Sequence, residues 1–299
     1  MKNYYKITPE GTKDLLFEEC TARNKVTHMI TSVFESKGYH QVITPGLEFF
    51  DAFTLKSGGI QQEDMYKLTD NKGRLLVLRP DSTLPIARMA GIRLQKEARP
   101  IRLYYNQPVY RNRPALTGHS NEINQAGIEL LGTAGLRADL EVIVTAIEAL
   151  QKIVPDFRIE IGHAGFFKAL ADQLPVDEAL REEIRLSIES KNYSSLNTIL
   201  DSLKQTDAVK AVRRLPRLFG GEEVFEEASA LFRGDLEQKA LSQLKALYRS
   251  LSHLCMGDKL IIDLGLVQRN DYYTGVVFSG YAERRRGRVL VRGRHRQVL

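Results

Sequence analysis

LYYNQPVYRNRPALTGHSNEINQAGIELL, residues 103–131, contains two runs of strand-forming residues, Leu103–Arg111 and Asn121–Leu131, joined by a loop rich in Pro, Gly and Asn. Aromatic and β-branched residues suit a pleated, half-buried surface, and Pro114 and Gly118 interrupt it, so the stretch reads as two strands. Gln125 and Glu129 stand four apart on the second strand. Side chains alternate between faces with a period of two, so both point the same way. Set among apolar residues, they make either the outer face of an alternating strand or the floor of a polar site.

Outward from this stretch, Met65–Thr69 and Arg74–Leu78 flank Asp70-Asn71-Lys72-Gly73, a hairpin signal. Thr83–Leu94 reads as a helix. Further upstream, Val26, Met29, Ile30, Val33 and Phe34 recur at helical spacing in 17–37, with Gly38 as the stop and Tyr39–Ile43 as a strand ending at Thr44-Pro45. Downstream, Leu140, Ile143, Val144, Ile147 and Leu150 mark one face of a helix over 138–152, and Phe157–Ile161 alternates as a strand. Residues 165–255 carry almost only helical patterns, and strands return at Lys259–Leu264 and Tyr272–Tyr281. This order predicts an α+β fold, an antiparallel sheet flanked by helices and interrupted by a helical insertion. The expected divisions are 1–164 and 256–283 for the core, 165–255 for the insertion, and 284–299 for an Arg-rich tail.

The net charge of +6 belongs to that tail. Residues 284–299 hold seven Arg and no acid, and without them 36 Lys+Arg face 37 Asp+Glu. The body therefore has no global attraction for phosphate, which weighs against nucleic-acid binding. No run of apolar residues is long enough for a membrane span, and the N-terminus lacks an apolar signal core. Cys20 and Cys255 have no CxxC spacing and read as reduced thiols of a cytoplasmic protein. The six histidines show no metal-binding pairing, and neither metal nor cofactor is expected.

Several short motifs occur in order: Asp64-Met65-Tyr66, Leu78-Arg79-Pro80-Asp81-Ser82-Thr83, Tyr110-Arg111, Gln125-Ala126-Gly127-Ile128-Glu129, and 266–275 with Asp271-Tyr272-Tyr273-Thr274-Gly275. Together with Thr44-Pro45, they resemble the catalytic core of class II histidyl-tRNA synthetases over roughly residues 10–281. The resemblance implies a site for histidine. Arg111 would hold an oxyanion, Gln125 and Glu129 the amino and carboxylate groups, and Thr83 a further hydroxyl contact. Asp64 stands where the synthetases carry Glu and would serve the amino group, and Tyr272 and Tyr273 would read the imidazole. Taken singly, Arg79 and Arg111 read as surface or structural arginines, and the tyrosines as core or cross-strand packing; the ordered set favours the site.

The chain also departs from the family. Gln268 stands where the synthetases have an arginine aimed at the activating phosphate, and a neutral amide cannot replace a cation there. In the loop after Arg111, the family's Glu and two Arg positions are Arg113, Pro114 and His119. The third motif and the anticodon-binding domain do not follow residue 281. The tail itself reads either as a basic arm or as a truncated or frameshifted end, which would leave an unpaired sheet edge. An amino-acid site kept and an activation apparatus lost resembles the regulatory-subunit branch of the family. The resemblance implies a non-catalytic subunit that relays L-histidine feedback to a short-form ATP phosphoribosyltransferase catalytic subunit. It further implies self-association through the first helix and the Thr44-Pro45 strand, with no tRNA as partner. The alternative is a divergent or fragmentary histidyl-tRNA synthetase.

Overall fold

The computed structural model describes residues 4–54, 60–113, 120–267, 273–282 and 288–295. It divides into two compact units. One holds the chain up to Thr133 with Thr145–Ile153, and the other holds Ala134–Val144 and the chain from Val154 on.

In the first unit, helix α1 (Phe17–Ser36) lies where the apolar spacing places it, but only its second half is buried. Val33 and Phe34 pack with Tyr39, Tyr104 and Ala149, while Val26 is 42% exposed. Strand β1 is shorter than the sequence predicts, His40–Gln41, and pairs in parallel with β5 (Ile101–Tyr110). Beyond it the Val42 N–H still bonds the Tyr104 carbonyl, and the Thr44 N–H is taken by the Gln107 side chain. A second sheet is built from β2 (Leu47–Phe49), β3 (Lys67–Thr69) and β4 (Leu75–Leu78), in the order β2-β4-β3. The short helix α2 (Asp51–Thr54) follows β2.

The predicted β3–β4 hairpin forms as read. Gly73 sits at φ +76°, where an L side chain is strained, and Asp70 accepts the N–H groups of Lys72 and Arg74. Helix α3 (Thr83–Arg93) then leads to β5 and β6 (Glu122–Leu131), paired antiparallel along their full length. Ile86, Leu103 and Tyr105 form the core between α3 and this pair. Gly127 faces Tyr105, whose Oη lies 2.5 Å from where a Cβ on Gly127 would stand, so any larger residue would have to displace the Tyr105 ring.

Helix α4 (Leu136–Ile153) contributes to both units. The second unit contains β7 (Phe157–His163), α5 (Ala164–Ala171), α6 (Glu178–Glu189), α7 (Tyr193–Asp201), α8 (Asp207–Arg214), β8 (Phe219–Gly220), α9 (Glu223–Leu231), α10 (Asp235–His253), β9 (Leu260–Asp263), β10 (Tyr273–Ala282) and β11 (Arg288–His295). Its sheet runs β11-β10-β7-β9-β8, with β7–β9 parallel and the other pairings antiparallel. The strands after the helical stretch thus join β7, and the six helices fall in the same unit as their sheet.

The unpaired edge expected beyond residue 283 is not observed at β10. Arg288–His295 runs antiparallel to it, with Ser279 opposite Val291 and Val277 opposite Gly293. Main-chain N–H and C=O groups form a ladder whatever the side-chain composition, so an Arg-rich run can pair as well as an apolar one. Among the described residues no helix is long and apolar enough to cross a membrane.

Candidate functional site

The Leu78–Thr83 motif explains itself residue by residue. Arg79 is 3% exposed, and its guanidinium donates to backbone carbonyls. Nη1 reaches the Thr44 oxygen at 2.6 Å and the Pro45 oxygen at 2.9 Å, while Nε and Nη2 reach the Pro108 oxygen at 3.2 and 2.6 Å. Burial lowers its pKa from the usual arginine value, yet the carbonyls keep the cation satisfied. Of its two readings, the structural one holds: Arg79 ties the Thr44-Pro45 segment to β5. Asp81, which precedes the N-cap Ser82, accepts the Thr83 N–H at 2.7 Å and satisfies the first free N–H of α3. Ser82, fully buried, takes a hydrogen bond from Gln107 Nε2 at 3.1 Å.

That arrangement aims Thr83 at β6. Thr83 Oγ1 donates to Glu129 Oε1 at 2.8 Å, and the two residues are 6% and 8% exposed. A buried hydrogen bond to a carboxylate stabilises by about 1.5–3 kcal/mol, enough to fix both side chains. Two positions earlier on the same face lies Gly127, and two before that Gln125, whose Oε1 is buried with no hydrogen-bond partner. Asp64 closes a 3-10 turn (Gln62–Asp64), and its carbonyl accepts the Asn112 N–H at 2.8 Å, which brings it beside the end of β5. Arg111, the residue before, donates its own N–H to the Asn121 carbonyl at 2.8 Å. Asn121 also donates to Tyr66 Oη at 2.9 Å.

The structure therefore joins Thr83 to Glu129 and anchors Asp64 next to Arg111, all in the first unit. Tyr273 opens β10 in the second unit and packs against Ala164, Leu266 and Val277. Tyr272, Gln268, Pro114 and His119 lie outside the described residues. Sequence reasoning missed Gln107, which with Ser82 and Thr44, residues quoted above without a role, forms a buried polar network. Gln107 gave a signal all the same: it is the amide in an otherwise apolar alternation, between Tyr105 and Val109.

An antiparallel β5–β6 floor, a helix delivering Thr83 and the buried Glu129 on the facing strand agree with a class II synthetase-like protein. The family model described as histidyl-tRNA synthetase matches residues 11–299. The chain is 41% identical over 305 residues to the ATP phosphoribosyltransferase regulatory subunit of Clostridium acetobutylicum, covering 100% of this chain and 74% of that one. The chain belongs to the histidyl-tRNA-synthetase-like family, in its branch of ATP phosphoribosyltransferase regulatory subunits. The counterpart in Clostridium kluyveri is 39% identical over 303 residues, covering 100% and 78%. Among solved structures, a Bacillus halodurans protein described as an ATP phosphoribosyltransferase regulatory subunit/histidyl-tRNA synthetase superposes with TM-score 0.90 at 33% identity, covering 98% of this chain and 77% of that one. A histidine–tRNA ligase subunit from Alicyclobacillus acidocaldarius gives 0.83 at 26% identity, covering 97% and 89%.

Proposed function

We propose that this chain is a non-catalytic, cytoplasmic regulatory subunit. It pairs with a short-form ATP phosphoribosyltransferase catalytic subunit in the first step of histidine biosynthesis and inhibits it when L-histidine binds. The observation that carries this reading is the buried Thr83–Glu129 hydrogen bond on the strand face where Gln125 Oε1 has no partner. A buried carboxylate held by a hydroxyl, beside an unpartnered amide oxygen, supports an amino-acid site on this face. Glu129, Gln125 and Asp64 would receive the amino group, Arg111 the carboxylate, and Tyr272 and Tyr273 the imidazole. Arginine suits a carboxylate because its planar fork pairs with both oxygens. Gln268 in place of a cation supports the loss of amino-acid activation, and no tRNA is required.

Calorimetry with L-histidine tests the site, and Glu129→Ala and Tyr273→Phe should both weaken binding; unchanged affinity in both refutes the placement. Activity of the catalytic subunit should depend on this chain and fall when histidine is added. A catalytic subunit indifferent to it in activity and in co-elution refutes the partnership. Histidine-dependent ATP–pyrophosphate exchange at a synthetase rate would instead favour the enzyme.

Self-association, expected from the resemblance through the first helix and the Thr44-Pro45 strand, belongs to the same proposal, and the sheet that begins two residues after Pro45 offers a further face. Leu47, Phe49 and Leu68, 41–49% exposed, share one face of the β2-β4-β3 sheet with Leu76 and Leu78. An apolar patch of this kind marks an interaction surface. Sedimentation of Leu47→Glu should show dissociation, and an undisturbed oligomer rules this face out.

A further inference from the structure

Gln107 stands directly opposite Gln125 in the β5–β6 register, and it is 4% exposed. Its Oε1 accepts the Thr44 N–H at 3.2 Å. A backbone N–H can only donate, so this contact fixes which way the amide points. Nε2 is thereby turned toward two hydroxyls, Thr44 Oγ1 at 3.1 Å and Ser82 Oγ at 3.1 Å, and both of its hydrogens are used. Directly opposed residues of an antiparallel pair have Cβ atoms about 4.5–5.5 Å apart, so the two amides are neighbours on one face. Gln107 has no hydrogen left to offer, and Gln125 Oε1 stays buried without a donor. A buried acceptor in this state gains from any donor that reaches it.

We propose that Gln107 is a positioning residue of the histidine site. Its saturated amide keeps Gln125 Oε1 unpaired and so reserves a neutral acceptor for the ligand's ammonium group. This rests on the histidine-binding reading above. With Glu129 two pleats away, the β6 face presents acceptors to the ligand, which favours a protonated amine and disfavours an acid that lacks one. Removing the Gln107 amide orphans the Thr44 N–H and the Ser82 hydroxyl. Gln125, the amide directly opposite, then swings to satisfy them, and its oxygen is lost to the ligand.

The experiment is calorimetry on the full chain with two probes, L-histidine and imidazolepropionate, which is histidine without its amino group. The unaltered chain should prefer histidine. In Gln107→Leu, histidine affinity should fall about tenfold or more, the scale of a lost hydrogen bond to a charged group, while imidazolepropionate affinity holds within about twofold. Gln107→Glu keeps the length and the acceptor for the Thr44 N–H, and should keep the preference. If Gln107→Leu does not fold, the flexible Gln107→Met carries the same expectation. Equal weakening of both probes, an unchanged preference in the apolar variants, or a preference lost in Gln107→Glu overturns the positioning role. Failure of the unaltered chain to bind either probe overturns the histidine reading itself.

Discussion

Replacing Arg79 by Leu should be among the most damaging single changes available in the first unit. The substitution removes the Arg79 donors that reach the carbonyls of Thr44, Pro45 and Pro108. A buried acceptor left without a partner costs about 1–3 kcal/mol, so three of them, with some relief from admitted water, cost about 4 kcal/mol. That is a large share of the roughly 5–15 kcal/mol that stabilises an ordinary domain. With a urea dependence of about 2 kcal/mol per molar, the midpoint should drop by about 2 M. Arg79→Lys retains a charge and three donors but not the planar fork, and should lose about half as much. Urea unfolding followed by circular dichroism, with hydrogen exchange of β5 and β6 to locate the loss, measures both. A midpoint shift below about 0.5 M for Arg79→Leu would refute the structural role. So would a drop in histidine affinity in Arg79→Lys with stability intact, which would place Arg79 in the site and not beneath it.

Three further outcomes follow from particular contacts. Tyr104 is held protonated by burial and by its 2.5 Å hydrogen bond to Glu35, which push its pKa up to about 12. A raised pKa contributes stability that is present below the ordinary tyrosine value near 10 and lost as pH rises through about 12, so alkaline unfolding over that window should flatten in Tyr104→Phe. Gly127→Ala should destabilise by about 1–3 kcal/mol through collision with the Tyr105 ring, and Tyr105→Leu in the same chain should recover part of it; no loss in thermal melting would contradict the close approach. Glu48, 7% exposed, is gripped by Arg88 at 2.6 and 3.1 Å, and because Arg88 is 38% exposed, a double-mutant cycle between Glu48→Ala and Arg88→Ala should give a coupling of only about 1 kcal/mol.

The amino-acid sequence by itself settled which residues form elements and what family the chain belongs to. Periodicity places α1, the β3–β4 hairpin, α3, the β5–β6 pair and the helical run, because each depends on spacing and turn chemistry within a few residues. The ordered motifs place Asp64, Thr83, Arg111, Gln125 and Glu129 as site candidates, since a side chain's chemistry is legible without its neighbours. What Arg79 does was not legible: an arginine among carbonyls and an arginine facing a ligand carry the same letter, and only its burial among the oxygens of Thr44, Pro45 and Pro108 separates the two. Nor could spacing show that the Arg-rich segment pairs with β10, because strand pairing is a main-chain matter between residues distant along the chain. The role of Gln107 was hidden for the same reason. Its hydrogen-bond capacity is fixed by type, but how that capacity is spent depends on Thr44, 63 residues away, and Ser82, 25 away. Local pattern fixes what each group can do, and the tertiary fold alone decides which partners it meets and which acceptor remains unpaired.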